Sequence, residues 1–192
     1  MNRPPQAIIL AGPNGAGKTT TASDLLPIGI KFVNADMIAQ ELSGVPGTAG
    51  DINAGRLLLE QLEALVSHRD DFAVETTLSS LTLAKRISSW KGRGYEIDLV
   101  FVWLPSPDMS VQRVAGRVLL GGHHVPEETV RRRYDSGLRN LFRIYMKLAD
   151  SWRIRDNSSP AGPRDIVTYN AGEGIKVWEP TTWEQIQREW NH

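Results

Sequence analysis

The run Gly12-Pro13-Asn14-Gly15-Ala16-Gly17-Lys18-Thr19 follows directly on the apolar stretch Ala7-Ile8-Ile9-Leu10-Ala11 and leads into a helical pattern that reaches Leu26. A buried strand, a glycine-rich turn and a helix start, in that order, are the context in which such a run cradles phosphate. The glycines let the backbone turn tightly, so that successive N–H groups point inward, and the next helix adds its unpaired N-terminal donors and positive dipole end. Lys18 is expected to reach the β- and γ-phosphates and Thr19 to ligate Mg²⁺ through its hydroxyl, with Thr20 beside them. A chain that opens this way is expected to bind a nucleoside triphosphate through a P-loop.

Beyond the loop, strand-like and helix-like segments alternate, which points to an α/β fold of the P-loop NTPase or kinase type, a mainly parallel sheet flanked by helices. Strands are expected at 31–34, 72–74, 97–104 and 152–157, with helices near 37–42, 51–67, 81–91 and 106–120. Gly121-Gly122-His123-His124-Val125-Pro126 then reads as a mobile lid or turn. In the helix after Pro126, Val130, Tyr134, Leu138, Leu141, Tyr145 and Leu148 share one stripe, with Arg132, Arg139 and Arg143 opposite. Arg131 and Arg133 flank that stripe and are candidates for a site. The C-terminal part reads as a small hairpin, 166–169 with 175–178, and a last helix whose capping box would be Thr182 with Gln185. At 192 residues the prior is a single domain, 1–192, with a lid region at about 106–133.

Lys plus Arg and Asp plus Glu are equal at 22 each, so no global field recruits nucleic acid or an anionic membrane, and neither is expected as a partner. The absence of cysteine removes disulfides, thiolate catalysis and thiolate zinc sites. No signal-peptide pattern opens the chain and no apolar run approaches the length of a membrane span, so a cytoplasmic protein is the expectation.

In open α/β sheets the ligand lies beyond the carboxyl ends of the strands. Asp36 and Glu75 both stand there. Asp36 is either the carboxylate that takes a proton from an attacking hydroxyl or the N-cap of the next helix. Glu75, beside Thr76 and Thr77, either holds Mg²⁺ through water, accepts from substrate hydroxyls, or is an exposed strand-end charge. Arg113 and Arg117 share a helix face just before the glycine pair and can close over a triphosphate, or else face solvent. The adjacent His123 and His124 do not share a face and make a poor metal site.

With these residues assembled, the chain resembles the short, single-domain branch of the zeta-toxin family of P-loop kinases. The matching parts are Gly12 to Thr20, Asn34-Ala35-Asp36, Glu75-Thr76-Thr77-Leu78-Ser79, Arg117-Val118, the Gly-Gly-His segment, and Val125-Pro126 before an Arg-rich helix. The likeness runs from about Ala7 to Tyr145. It implies ATP- or GTP-dependent phosphorylation, with Mg²⁺, of a UDP-activated amino sugar, typically on the 3′-hydroxyl of UDP-N-acetylglucosamine, and an antitoxin protein as partner. By the same resemblance Asp36 is the general base, Lys18 the phosphate clamp and Arg117 a lid arginine, while Glu75 and Thr77 hold the sugar, with Asn34 and Arg113 also on the substrate side. The characterised toxins carry a second lid arginine before a small residue and a proline. His124 stands at that place here, and Arg133 is the candidate replacement. The alternatives are a kinase of another small alcohol (a nucleoside, sugar acid or antibiotic) and a nucleotide-gated regulatory NTPase.

Overall fold

The computed structural model describes residues 3–34, 50–122 and 124–191. The expected helix near 37–42, together with Asp36 and His123, lies outside the described residues. Strand β1 (Gln6–Ala11) is apolar almost throughout because it is central: it is flanked by β3 (Phe72–Thr76) and β4 (Glu96–Trp103), and Ile9, Leu10 and Ala11 have no exposed surface. Continuous apolar runs of this kind mark strands covered on both faces. With β2 (Lys31–Val33), β5 (Ser151–Asp156), β6 (Arg164–Asn170) and β7 (Gly174–Val177), the sheet has the order β2-β3-β1-β4-β5-β6-β7. Every pairing from β2 to β5 is parallel, and β6 and β7 append an antiparallel hairpin. The expected architecture, a mainly parallel sheet with a C-terminal hairpin and helix, is the observed one.

The described helices are α1 (Lys18–Leu25), α2 (Gly50–His68), α3 (Thr82–Gly92), α4 (Pro107–Leu119), α5 (Glu127–Asn140) and α6 (Pro180–Trp190). Helix α4 starts on Ser106, whose hydroxyl accepts from the Met109 N–H, with Pro107 in the first turn. Gly121 ends it at φ 82, while the N–H groups of Gly121 and Gly122 donate to the carbonyls of Val118 and Arg117. That is a Schellman cap, and it gives the glycine pair a defined structure. Val114 of α4 packs with Val125 and Val130, joining α4 to α5.

Two local expectations are corrected. The long stripe after Pro126 is not one regular helix: α5 passes through a π turn, Leu141–Tyr145, into Met146–Leu148. The wider turn lets Leu141, Phe142 and Tyr145 all be buried. Thr182 and Gln185 form no capping box, because α6 begins earlier, on Pro180, and its N-cap residue Glu179 makes no side-chain cap bond. The apolar face of α6 is as expected. Trp183 stacks on Phe142 at 5.8 Å and Trp190 meets Tyr134 edge-on at 6.1 Å, so α6 seals the hairpin side of the core. None of the helices among the described residues is long and apolar enough to cross a membrane.

Candidate active site

The P-loop runs from the end of β1 to the start of α1, and each of its glycines is required by geometry. Gly12, Gly15 and Gly17 have φ of 143, 77 and 84°, conformations that side chains strongly disfavour. Close neighbours add to this. A Cβ on Gly12 would collide with the Val102 carbonyl of β4, and one on Gly15 would come within 2.9 Å of the Ser110 carbonyl of α4. A Cβ on Gly17 would lie 2.6 Å from Asn157 Nδ2, which donates to the Ala16 carbonyl at 2.7 Å. The loop is therefore braced from the ends of β4 and β5 and from α4.

Lys18 is 6% exposed, buried where a lysine in a surface loop would be solvated. Its Nζ donates to the carbonyls of Gly12 and Pro13, both at 2.9 Å, and lies 3.7 Å from Glu75 Oε1. Glu75 lies near the end of β3, the neighbour of β1, so parallel pairing aligns it with the loop. Its Oε2 accepts from the Thr19 hydroxyl at 2.7 Å and from Asn34 Nδ2 at 2.8 Å. Lys18, Thr19, Asn34 and Glu75 thus form one polar cluster. A hydroxyl and a carboxylate meeting at the mouth of a phosphate-binding loop are hard oxygen donors, the kind Mg²⁺ prefers. The residues present fit that ion.

Beside the cluster lies a cavity of about 400 Å³. Asn14, Lys18, Asn34 and Glu75 form its phosphate side, Leu58 and Leu59 of α2 with Leu83 of α3 its apolar wall, and Thr77, Ser79, Ser80 and Thr82 a row of hydroxyls. Arg133 enters from α5. Arg131 stays outside the cavity and pairs with Asp108 at 2.7 Å and Glu127 at 2.8 Å on the outer surface. Arg132, Arg139 and Arg143 are exposed, as their position opposite the stripe predicts. Arg113 lies beside Gly15 and donates to the Ser158 carbonyl at 3.1 Å, buttressing the loop. Arg117 is half-buried in the last turn of α4, its side chain against Gly122. Neither Arg113 nor Arg117 lines the cavity.

The hydroxyl-rich segment is held from α5 and its π turn. Leu78 is fully buried at φ 56, a left-handed conformation unusual for a leucine. Its carbonyl accepts from Asn140 Nδ2 at 2.7 Å, and the Ser80 carbonyl accepts from the Tyr145 hydroxyl at 2.7 Å. Gly137 faces the Thr77 carbonyl so closely that a Cβ would collide with it. Burial pushes the Tyr145 phenol up to about 12, so it stays a donor throughout the neutral range.

A family model described as an AAA domain matches residues 8–137, more than half of the chain and all of the P-loop and its cavity segment. The protein belongs to this AAA-domain family. An uncharacterized protein of Haemophilus influenzae is 29% identical to the AAA-domain protein over 132 residues, which are 67% of this chain and 92% of that one. Among solved structures, the AvrRxo1-ORF1:-ORF2 complex with ATP is similar over 96% of this chain and 64% of the other, with TM-score 0.77 and 17% identity. A structure of the PezAT chromosomal toxin–antitoxin system of Streptococcus pneumoniae covers 98% of this chain and 79% of the other, with TM-score 0.63 and 17% identity. A putative kinase of Chloroflexus aurantiacus covers 69% and 78%, with TM-score 0.54 and 18% identity. The chain spans less than two thirds of the AvrRxo1 chain. At these identities the likeness is one of fold, a mainly parallel α/β sheet with the phosphate loop after its central strand.

The AAA-domain protein brings Asn14, Lys18, Asn34, Glu75, Thr77 and Arg133 of the sequence candidates to one cavity. Sequence reasoning missed Gly137, Asn140, Tyr145 and Asn157. Only Asn157 had a signal, since the strand-end rule that singles out Asp36 and Glu75 applies equally to the end of β5.

Proposed function

We propose that the protein is a small-molecule kinase that transfers the γ-phosphoryl group of ATP or GTP to a hydroxyl of an acceptor seated in the cavity beside Lys18. One observation carries this reading: a single cavity of about 400 Å³ has the P-loop lysine on one wall and hydroxyl, amide and guanidinium groups on the others. Its volume suits a small ligand. A regulatory NTPase has no need of such a chamber next to its phosphate loop. We read residues 1–192 as one kinase domain, with 106–133 as its lid.

Following the resemblance to zeta toxins, the acceptor is a UDP-activated amino sugar such as UDP-N-acetylglucosamine. Asn34, Glu75 and Thr77 are its hydrogen-bonding partners, and Asp36 is the base that takes the proton of the attacking hydroxyl. Catalysis of this kind is mostly positioning and electrostatics. Lys18, with Arg133, offsets negative charge on the transferred group; Arg117, which lies outside the cavity against Gly122, joins them only when the lid closes, and Arg113 keeps the loop in shape. Mg²⁺, when bound, neutralises phosphate charge, and Thr19 and Glu75 are the residues that would hold it. The contacts of Glu75 with Thr19 and Lys18 favour this metal-side role over sugar binding alone. Because PezAT is by its name a toxin–antitoxin system, an antitoxin-like protein partner belongs to the same proposal.

The test is to incubate the purified chain with Mg-ATP and UDP-N-acetylglucosamine, and separately with a metabolite extract, and to follow new phosphorylated species by mass spectrometry. A phosphorylated nucleotide sugar is expected. A product only from the extract would replace the acceptor, and ATP loss with no phosphorylated acceptor would overturn the kinase reading. In the same assay Asp36→Asn should lower transfer by roughly 10²- to 10⁴-fold while ATP affinity is kept.

A further inference from the structure

The loop between β1 and α1 holds two of its peptides by bonds of its own. The Ala16 N–H donates to the Pro13 carbonyl, and the Gly17 carbonyl accepts from both the N–H and the hydroxyl of Thr21, each at 2.9 Å. The peptide between them, from the Ala16 carbonyl to the Gly17 N–H, has no such anchor within the loop. Gly17 sits at φ 84, and a glycine takes the mirror conformation about as readily, so this peptide can turn over unless something outside holds it. Asn157 holds it. Its Nδ2 donates to the Ala16 carbonyl at 2.7 Å from 141 residues away in sequence. Asn157 is itself fixed from two sides: its own N–H donates to the Trp103 carbonyl of β4, and the carbonyl of the next residue, Ser158, accepts from Arg113 of α4.

A trans peptide points its carbonyl and its N–H in opposite directions, and this one is trans. With the Ala16 carbonyl drawn out to Asn157, the Gly17 N–H is turned the other way, and it makes no hydrogen bond among the described residues. We propose that Asn157 is a positioning residue for the nucleotide: by holding the Ala16 carbonyl outward, it aims the Gly17 N–H at a nonbridging oxygen of the phosphate chain. Without that bond the peptide turns over and presents a carbonyl, an acceptor, to an anion that also accepts. Asn157 itself touches no ligand. Backbone N–H groups of such a loop cradle the α- and β-phosphates, so a diphosphate feels the effect as a triphosphate does. The inference rests on phosphate binding by the P-loop and not on the identity of any acceptor.

The experiment records amide proton–nitrogen spectra of the full chain without ligand and with saturating Mg-ADP or inorganic pyrophosphate, reading each loop N–H separately. In the parent the Gly17, Lys18 and Thr19 signals should all move on binding. In Asn157→Ala the Gly17 signal alone should lose most of its shift, and affinity for both ligands should fall by roughly tenfold or more, the worth of one hydrogen bond to a charged group. A Gly17 signal that moves as in the parent would overturn the proposal. So would equal losses at Gly17, Lys18 and Thr19, which mark a loop that has only loosened. If thermal melting shows that the alanine variant does not fold, Asn157→Asp keeps the shape without the donor and is read by the same pattern. Its added charge weakens every anion contact and cannot mimic a loss confined to Gly17. A parent that binds neither ligand would sink the P-loop reading and this inference together, whereas a parent that binds and a variant that keeps the Gly17 shift sink this inference alone.

Discussion

The phosphate loop and the hydroxyl-rich loop of the cavity leave neighbouring parallel strands, β1 and β3, and face the same space, yet they are held by opposite means. The phosphate loop takes its shape from its own glycines, at φ 143, 77 and 84°. The segment from Thr77 to Ser80 contains no glycine and keeps a buried leucine at φ 56. Its carbonyls are fixed by Asn140 and Tyr145, 62 and 65 residues further along the chain. One turn is written in its own glycines and then braced from β4, β5 and α4, whereas the other has no glycine and depends on tertiary contact for its shape. On the proposed kinase reading, the donor side is therefore a fixed part that any such loop carries, while the acceptor side is set by what α5 and its π turn bring to it.

The largest effect that separates the two sides is expected at Lys18. Lys18→Ala should lower ATP turnover by about 10³-fold, the scale of losing a preorganised charge donor to a transition state. The fold should survive, because Glu75 keeps Thr19 and Asn34 as donors. Calorimetry with ATP and a thermal melt check both halves. Intact ATP binding and turnover in this variant would remove the donor side from the comparison altogether.

This contrast also explains what the sequence revealed. A strand, a glycine-rich turn and a helix start are written in consecutive residues, so the P-loop, the parallel order around it and the strand-end Glu75 were readable. The clamp on the second loop was not. Asn140 and Tyr145 look like ordinary members of a helix, and Gly137 like a weak spot in it, until the fold brings them to Thr77, Leu78 and Ser80. The π turn was hidden for a related reason: Leu138, Leu141, Tyr145 and Leu148 keep a plausible α spacing, and only the added burial of Phe142 shows the wider turn. The capping box failed because Pro180 offers an earlier start for α6.

The next effect tests the acceptor side. Replacing a helix-interior glycine by alanine normally stabilises by about 1 kcal/mol. At Gly137 the new methyl meets the Thr77 carbonyl, so Gly137→Ala should instead destabilise by about 1–3 kcal/mol, as overpacking does. The acceptor KM should rise while the KM for ATP stays put. A stabilised variant with an unchanged acceptor KM would break the claim that α5 shapes the cavity loop.

Asn140→Ala sharpens the same claim at smaller cost. It leaves the Leu78 carbonyl without its amide donor, worth about 1 kcal/mol or somewhat more for a part-buried group. Tyr145 still anchors Ser80, so the loop should loosen without being released. Hydrogen exchange should quicken at 77–82 and remain unchanged at 12–18. Equal quickening in both loops would mean that they are one mechanical unit.

The smallest expected effect has the opposite sign and serves as the control for Gly137. Gly116 lies within α4, exposed, with nothing within 4 Å of where a Cβ would stand. Gly116→Ala should therefore stabilise by about 0.5–1 kcal/mol through reduced freedom of the unfolded chain, a shift of roughly 1–4 °C in melting temperature for a chain of this size. Both substitutions add one methyl to a helical glycine, so propensity alone predicts the same sign for each. Opposite signs would isolate the contact with Thr77 as the cause. Gly116 also sits between Arg113, which braces the phosphate loop, and Arg117, which packs on Gly122. A Gly116→Ala variant that gains stability and keeps its turnover would show that α4 works as a rigid brace. A gain in stability with a severalfold loss of turnover would show instead that α4 must flex during the cycle, and the lid would then stand as a third region beside the two loops.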